Sequence, residues 1–339
     1  MTPSGVCNRG RTSVDTGVRL SGRSTGPVGV VLVLAAAVAL VGGVVVFGPL
    51  GGKTARAAAR RSSPRDQSVA SDSAGRPLDP ALFASGSCMA FAPSTGDRHQ
   101  TVFIDAGHGG IDPGAVGVTE SGQTIYEADQ TLPVELAVRT LLRSQGYRVV
   151  VSRTRASTVL RLGPGDVAGG LLTVQGAHDD VAARDICANL AKANVLVGIY
   201  FDAGPSTINA GSITAYDTDR SFSASNLRLA TLVQGDVLAQ LDAHGWNIPN
   251  DGVVSDISLG GPPLSSAASA YGHLLLIGPE MPGYFSTPSE MPGALIEPLF
   301  ITDPFEGTIA ASAAGQEAIA QGVADAVEQY LQPPVKSLR

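Results

Sequence analysis

The sequence predicts an α/β fold: a single domain with a mostly parallel, twisted sheet and helices on both faces, preceded by an N-terminal hydrophobic segment and a linker. Short apolar segments rich in β-branched residues alternate with longer segments of helical periodicity, which is typical of such a sheet. The 339 residues suffice for one such domain beside a targeting region. Charged residues make up only 16% of the chain, which argues against a coiled coil or a solvated tail.

The N-terminal region divides by composition into three segments before the domain expected at 99–333. Residues 1–26 form a basic tail, and residues 27–50 contain no charged side chain. The second segment can cross the roughly 30 Å hydrocarbon layer as a helix, whereas the apolar part of a signal peptide usually has only about 7–15 residues. It is interpreted as a transmembrane anchor or signal region, with cleavage near 55–59 as the alternative. Residues 51–98, rich in Ser, Ala, Arg and Pro, are expected to form a flexible linker.

The charge of the chain is distributed unevenly. Residues 1–65 contain nine basic side chains and one acidic side chain, which leaves 14 basic and 29 acidic residues, about −15, for the rest. An acidic domain lacks the basic surface that a phosphate backbone requires, which argues against a nucleic-acid partner. The hydrophobic segment predicts a location in the cell envelope, outside the cytoplasm, for a protein expected to be a monomer.

Two of the three cysteines follow the hydrophobic segment. Cys7 precedes it, whereas Cys88 and Cys187 belong to the remainder of the chain. In an oxidising compartment two such cysteines predict one disulfide, which would connect the segment before the first strand to a helix. Two buried free thiols are the alternative.

The first predicted elements surround a glycine-rich turn. A strand is expected over 101–104, before that turn. The apolar residues of the next segment recur at i, i+3, i+4 and i+7, which predicts a helix capped by Thr131 with Pro133 in its first turn. Gly146 ends this helix, and a second strand is expected over 147–152.

Predicted strands and helices continue to alternate toward the C-terminus. A glycine-rich stretch over 163–176 leads to a helix in which Ala182, Ile186 and Leu190 share one face. In a largely parallel sheet of this kind, functional groups are expected where strands end. The later predicted elements are strands at 195–201 and 211–216, a helix at 227–241, a polar insertion at 247–270, strands at 273–277 and 294–297, and a helix at 308–331.

Three residues near predicted strand and helix ends have a chemical interpretation. A strand that stops at a carboxylate and turns through glycines can present the imidazole of His108 at the sheet edge, beside an ion or substrate. Glu127 lies near the start of the first helix, where the alternative is a carboxylate that complements the helix N-terminus. Glu297 ends a buried apolar strand, and a carboxylate there is costly unless it is paired, solvated or functional.

Several segments together resemble the zinc-dependent N-acetylmuramoyl-L-alanine amidases of the amidase type 3 family. They occur in order over roughly residues 100–331, and the ordered set is more specific than any one segment. The matching segments are 103–110 (FIDAGHGG), 112–115 (DPGA), the helix that contains Glu127, 146–154 (GYRVVVSRT), the helix 184–194 and 294–300 (ALIEPLF).

The resemblance implies an enzyme that hydrolyses the amide bond between N-acetylmuramic acid and the L-alanine of the peptidoglycan stem peptide. It implies a zinc ion held by His, Glu and His, with a second Glu as the base. Carried over by position, His108 and Glu127 are metal ligands and Glu297 is the catalytic carboxylate. Zinc with three protein ligands keeps a fourth site for water and lowers the pKa of that water toward about 7.

The sequence departs from the family pattern at the second histidine ligand. Tyr200 stands where that imidazole belongs, and a neutral phenol with a pKa near about 10 is a poor zinc ligand. Asp202 is the expected substitute, because residues two apart on an extended strand point to the same face. His178 and His273 are the other candidates. Two functions stay open: an active hydrolase with an altered metal site, and a silent relative that binds peptidoglycan or regulates cell-wall enzymes.

Overall fold

The computed structural model describes residues 75–259 and 263–332. The predicted basic tail, the hydrophobic segment 27–50 and the first part of the predicted linker lie outside these residues. Within the described part of the chain, no helix is both long and apolar enough to cross a membrane.

An eight-stranded sheet lies at the centre of the described residues, and two short hairpins lie outside it. The strands are β1 (Arg76–Pro77), β2 (Ser87–Phe91), β3 (Thr101–Ala106), β4 (Val116–Val118), β5 (Thr124–Tyr126), β6 (Arg148–Arg153), β7 (Val167–Ala168), β8 (Leu171–Leu172), β9 (Val195–Ile199), β10 (Ser212–Tyr216), β11 (Asn250–Ser255) and β12 (Gly293–Glu297). The order across the large sheet is β1-β2-β6-β3-β9-β12-β10-β11, and β4-β5 and β7-β8 are the hairpins.

The centre of the large sheet is parallel, as predicted. β3 lies between β6 and β9 and is parallel to both, and β9 is parallel to β12. β10 pairs antiparallel with β12 and parallel with β11, while β2 pairs antiparallel with β6. Because β3, β9 and β12 run in the same direction, their carboxyl ends meet at one edge of the sheet.

Helices cover both faces of this sheet, which confirms the predicted architecture. The helices of the described residues are α1 (Glu127–Ser144), α2 (Val174–Leu190), α3 (Ser223–Ala243), α4 (Ser266–Tyr271), α5 (Pro304–Ala310) and α6 (Ala313–Leu331). On β3, the buried Val102 and Ile104 belong to one core with α1, α3 and α6, and Phe103 belongs to a second core with α2. Neighbouring side chains of a strand point to opposite faces, so β3 contributes to both cores.

The predicted linker boundary at residue 98 is wrong, because residues 75–98 belong to the folded domain. β2 pairs with β6 inside the large sheet, and its Ser87, Cys88 and Phe91 are buried. The composition suggested a linker because this segment is rich in small and polar residues and has no sustained apolar period. A five-residue strand gains its stability from pairing with a neighbour, which no local pattern reports.

Two helix boundaries also differ from the prediction. α1 begins at Glu127 rather than after Thr131, which is buried inside the helix and donates its hydroxyl to a carbonyl of the glycine-rich loop. The apolar period begins only at Val134 because the first turn of α1 faces that loop. The single helix predicted over 308–331 is divided into α5 and α6, since Ser312 caps the second helix.

The polar insertion 247–270 contains an edge strand of the sheet. It includes β11, a 3₁₀ helix at Asp256–Ser258 and α4. The strand predicted over 273–277 is a turn instead. Leu276 and Ile277 nevertheless belong to the core next to α2, which explains why this turn is as apolar as a strand.

The predicted disulfide is present. Cys88 in β2 is bonded to Cys187 in α2, and both residues are fully buried. The bond joins residues 99 positions apart in the sequence. It therefore connects the N-terminal edge of the described chain to the helix that covers the second face.

Candidate active site

The loop after β3 places the imidazole of His108 at the carboxyl edge of the sheet. His108, Gly109 and Gly110 have φ angles of +60°, +130° and +65°, and glycine adopts such left-handed backbone without strain. Gly114 allows the loop to close on the helix, because a Cβ there would lie 2.6 Å from both Oε2 of Glu127 and Cδ2 of His108. The glycines thus permit the close approach of these two side chains.

His108 is held between two carboxylates. Its Nδ1 lies 2.8 Å from Oδ2 of Asp112, and its Nε2 lies 3.0 Å from Oε2 of Glu127. Burial by itself would lower the pKa of His108, but the hydrogen bonds to Asp112 and Glu127 raise it to about 10. The two acids therefore favour a positive charge at this position, whether a proton or a metal ion supplies it.

Glu127 connects three parts of the site. It is the first residue of α1, where the helix N-terminus favours a negative charge. Its Oε2 accepts a hydrogen bond from the backbone N of Ala115 at 2.9 Å, and its Oε1 accepts one from the backbone N of Phe201 at 3.0 Å. The carboxylate is thus buried and fixed beside His108, between the loop after β3 and the chain after β9.

Glu297 ends β12 in the same neighbourhood and forms a hydrogen bond with Asp202. Burial raises the pKa of Glu297 well above its ordinary value, and the charges of Asp202 and Glu127 raise it further. Burial also raises the pKa of Asp202, although its hydrogen bond with Glu297 acts in the opposite direction. In this pair the stronger rise in the pKa of Glu297 favours the proton on Glu297 rather than on Asp202.

Tyr200 is bound to a buried ion pair instead of facing His108 as a ligand. Its hydroxyl donates to Oδ2 of Asp105 at 3.1 Å, and Arg184 donates to Oδ1 of the same carboxylate. The edge of its ring contacts the imidazole of His108, with 5.5 Å between the ring centroids. Burial, followed by the charge of Asp105, raises the pKa of Tyr200 well above its ordinary value, so the phenol stays neutral.

Asp202 does not share a strand with Tyr200. β9 ends at Ile199, so the assumption of a continuous strand through Asp202 does not hold. No three His, Cys, Asp or Glu side chains that include His108 have ligand atoms within 4.8 Å of one another in the described residues. His108 and Glu127 thus fit a metal ion as two ligands, while Asp202 is engaged with Glu297.

The other two candidate ligands have partners of their own. Nδ1 of His178 lies 2.8 Å from Oδ1 of Asp179. Nδ1 of His273 lies 2.9 Å from Oδ2 of Asp217. Neither histidine is within salt-bridge distance of Glu127, so neither completes the pair that His108 forms.

A cavity of about 1040 Å³ opens beside these residues. This volume is at the upper end of the range of about 300–1,000 Å³ that is typical of ligand sites. His108 and Glu297 thus face a space large enough for a small organic ligand. Its walls include His108, Tyr200, Glu297, His178, Tyr271 and Leu264.

Sequence reasoning missed the residues that support this site. Asp112, which orients His108, lies within a segment that carried the resemblance, and its spacing of four residues from His108 was the available signal. Arg184 also begins a segment that carried the resemblance, but nothing in the sequence indicated which groups it would contact. It is 1% exposed and donates to Asp105, Asp180 and two backbone carbonyls, contacts that depend on the packing of α2 against the sheet.

A family of known proteins matches the sequence of this domain. The family described as N-acetylmuramoyl-L-alanine amidase matches residues 102–329, from β3 to α6. The chain belongs to this amidase family. The matched range includes His108, Glu127 and Glu297 and the elements that carry them.

Individual members of the amidase family have low sequence identity to this chain. N-acetylmuramoyl-L-alanine amidase LytC of Bacillus subtilis (strain 168) is 24% identical over 231 residues, which are 68% of this chain and 35% of LytC. The germination-specific N-acetylmuramoyl-L-alanine amidase of the same organism is 24% identical over 68% of this chain and 78% of its own length. The chain therefore spans about a third of one relative and most of the other.

The fold is also that of a solved amidase structure. The CwlD amidase from Clostridioides difficile, determined in complex with the GerS lipoprotein, is 23% identical with a TM-score of 0.50. The similarity covers 68% of this chain and 98% of that chain. At this identity the likeness shows a shared fold alone.

Proposed function

We propose that this protein acts outside the cytoplasm on peptidoglycan and hydrolyses the amide bond between N-acetylmuramic acid and the L-alanine of the stem peptide. The observation that carries the proposal is the convergence of His108, Glu127 and Glu297 at one edge of the sheet. Membership of the amidase family supports the same reaction. The cavity at this edge can accept a sugar–peptide junction.

The proposal includes a zinc ion bound by His108 and Glu127. An imidazole nitrogen and a carboxylate oxygen 3.0 Å apart are suitable zinc donors, and Asp112 fixes the ring through its other nitrogen. Asp202 is the proposed third ligand, which requires its carboxylate to leave the hydrogen bond with Glu297. Bound zinc would polarise the substrate carbonyl and lower the pKa of a coordinated water.

Glu297 has the proposed role of proton carrier. It takes a proton from the attacking water and delivers it to the departing nitrogen of L-alanine. Its raised pKa favours the form that holds the proton, as the second half of this cycle requires. The first half requires the ionised form, which the positive charge at His108 favours, because this charge lowers the pKa of Glu297.

The second candidate function is a silent relative that binds peptidoglycan or regulates cell-wall enzymes. Tyr200 favours it, since its hydroxyl is committed to Asp105 and leaves the site with two obvious ligands. Substrate binding at the cavity does not depend on a third ligand, so a silent protein would still bind.

Two measurements separate these functions: the zinc content of the purified protein, and the release of stem peptides from purified peptidoglycan. We expect bound zinc and release by the parent protein, and a loss of about 10²- to 10⁴-fold in Glu297→Gln. Glu120→Gln, which changes an exposed carboxylate outside the cavity, serves as the matched control. A metal-free parent that releases no stem peptide would contradict the hydrolase and favour the silent relative.

A further inference from the structure

Three side chains outside the proposed active site converge at the carboxyl ends of β10 and β11. These strands are parallel, and Tyr216 and Ser255 are their last paired residues. Asp217 and Asp256 come next in sequence, so the parallel pairing brings two carboxylates to the same edge. His273 approaches from the chain after α4, with Nδ1 2.9 Å from Oδ2 of Asp217 and 3.1 Å from Oδ2 of Asp256.

These two carboxylates are buried, and one oxygen of each has no hydrogen-bond donor among the described residues. The side chains of Asp217 and Asp256 are both 0% exposed. Nδ1 of His273 has one hydrogen-bond contact, with Oδ2 of Asp256. Oδ2 of Asp217 and Oδ1 of Asp256 have no hydrogen-bond partner among the described residues. Buried carboxylate oxygens without partners are costly, and a further positive group between the two carboxylates would offset this cost.

Among the described residues, the neighbouring Arg220 does not donate to either carboxylate. Arg220, whose charge acts on Asp217, donates its guanidinium to the backbone carbonyls of Gly278 and Ser289. A protonated His273 would supply one positive charge against two negative charges. A divalent cation with a neutral imidazole balances both carboxylates.

We propose that Asp217, Asp256 and His273 bind a divalent ion of the first transition series. Their ligand atoms all lie within 4.8 Å of one another, so a single ion can contact all three. Two carboxylate oxygens and one imidazole nitrogen suit Zn²⁺ or Mn²⁺. Ca²⁺ and Mg²⁺ prefer oxygen ligands alone, and the imidazole therefore disfavours them.

The surroundings of the three residues also suit a metal site. Oδ1 of Asp217 accepts hydrogen bonds from the backbone N of Asp219 and of Arg220, each at 2.8 Å, and Oδ2 of Asp256 accepts one from Leu274 N at 3.1 Å. Such outer contacts hold ligand side chains in orientation. His273 lines the cavity of about 1040 Å³, which gives an ion a route from solvent.

The test measures this site with the proposed zinc ligands removed. Zn²⁺ and Mn²⁺ are titrated into the full-length variant His108→Ala/Glu127→Ala by calorimetry, with elemental analysis of the dialysed protein. We expect one ion per chain and a thermal unfolding midpoint that rises with the concentration of either ion. Loss of a residue that only orients a ligand typically weakens metal binding by about 10- to 100-fold. Because His273 is itself a proposed ligand, adding His273→Ala should weaken binding by at least as much. His244→Ala is the matched control, because His244 is exposed and bound to a backbone carbonyl.

A spectroscopic measurement keeps the test independent of how the His273 variant folds. Mn²⁺ bound to the His108→Ala/Glu127→Ala variant should show coupling to an imidazole nitrogen in pulsed electron paramagnetic resonance. Failure of both ions to bind, absence of the nitrogen coupling, or binding that survives both His273→Ala and Asp256→Asn would overturn the proposal. The amidase assay above uses the parent protein, so its result is independent of this one.

Discussion

The side chains around His108 have two roles: some position its imidazole, and others stabilise the edge of the sheet. Asp112 and Glu127 contact its two ring nitrogens. Tyr200 instead contacts Asp105, the carboxylate that Arg184 also binds. A phenol at position 200 therefore stabilises a buried ion pair where an imidazole would offer a ligand.

Replacing Tyr200 tests this division. We expect Tyr200→His to raise the affinity for zinc by at least tenfold, on the order of 1.4 kcal/mol, because an imidazole is a far better zinc ligand than a neutral phenol. Competition with a chromophoric chelator measures the affinity. Tyr200→Phe is the control: it removes the hydrogen bond to Asp105 and should lower the free energy of unfolding by about 1–3 kcal/mol without a change in zinc affinity. Unchanged affinity in Tyr200→His would show that position 200 cannot reach the ion.

Asp112 offers a second test at the residue scale. Asp112→Ala frees Nδ1 of His108, and the loss of such an orienting carboxylate typically weakens metal binding by about 10- to 100-fold. Asp112→Asn keeps an acceptor for this nitrogen and should lose less. The same chelator competition applies, and equal zinc affinity in parent and Asp112→Ala would contradict the orienting role.

Among the secondary-structure elements, β2 and α2 depend on each other. β2 is short and lies near the edge of the sheet, next to β1. The Cys88–Cys187 disulfide connects it to a helix that covers the second core. Pairing and the disulfide together explain why a segment with the composition of a linker is folded.

We expect removal of the disulfide to lower the free energy of unfolding by about 2–5 kcal/mol, since the bond closes a long loop. Urea unfolding of the Cys88→Ala/Cys187→Ala variant measures the loss. A thiol assay of the denatured parent should find two more free thiols after reduction than before it. Equal counts would refute the bond.

The packing of α1 against β6 includes a buried acid. Oε1 of Glu135 accepts hydrogen bonds from the backbone N of Ser152 at 2.7 Å and from its hydroxyl at 2.9 Å, while Oε2 has no partner among the described residues. Burial raises the pKa of Glu135 from 4.5 to about 8, although the nearby charge of Arg153 lowers it and that of Asp105 raises it. The fold therefore favours the protonated acid.

A pH dependence of stability follows from this shift. Between pH 4.5 and about 8 the folded state holds a proton on Glu135 that the unfolded state has lost. The contribution to stability is thus complete below pH 4.5 and decreases, by on the order of a few kcal/mol, as the pH rises through 8. Urea unfolding at several pH values should show a steeper decline for the parent than for Glu135→Gln. Parallel curves would contradict the raised pKa.

For the molecule as a whole, the predicted N-terminal segment would complement the proposed function of the described domain. A peptidoglycan hydrolase must reach the wall, and an anchor at 27–50 would hold it at the outer face of the membrane. The monomeric state and the anchor stay predictions. The described residues supply the fold and the candidate sites.

The anchor is tested on the protein from the envelope fraction. N-terminal sequencing and intact mass should find residues 27–50 retained, because this apolar segment is longer than that of a typical signal peptide. A mature protein that begins near 55–59 would show cleavage instead. Recovery in the membrane fraction after a high-salt wash distinguishes an inserted helix from electrostatic adsorption.

Local patterns predicted much of this protein. The alternation of apolar segments with helical periodicity indicated the sheet and its helices, because burial imposes those periods wherever an element packs on a core. The ends of strands and helices can be located from the sequence. His108, Glu127 and Glu297 lie next to such ends and could therefore be named in advance as candidate site residues. The cysteine count indicated the disulfide, with two free thiols as the alternative.

The contacts between side chains of distant segments depended on tertiary packing. The order of strands across the sheet brings Asp217, Asp256 and His273 together, although the last lies 56 residues after the first in the sequence. The same packing binds Tyr200 to Asp105 and engages Asp202 with Glu297. Periodicity reports whether a residue is buried, whereas the identity of its partner depends on which elements become neighbours, and that is a property of the whole fold.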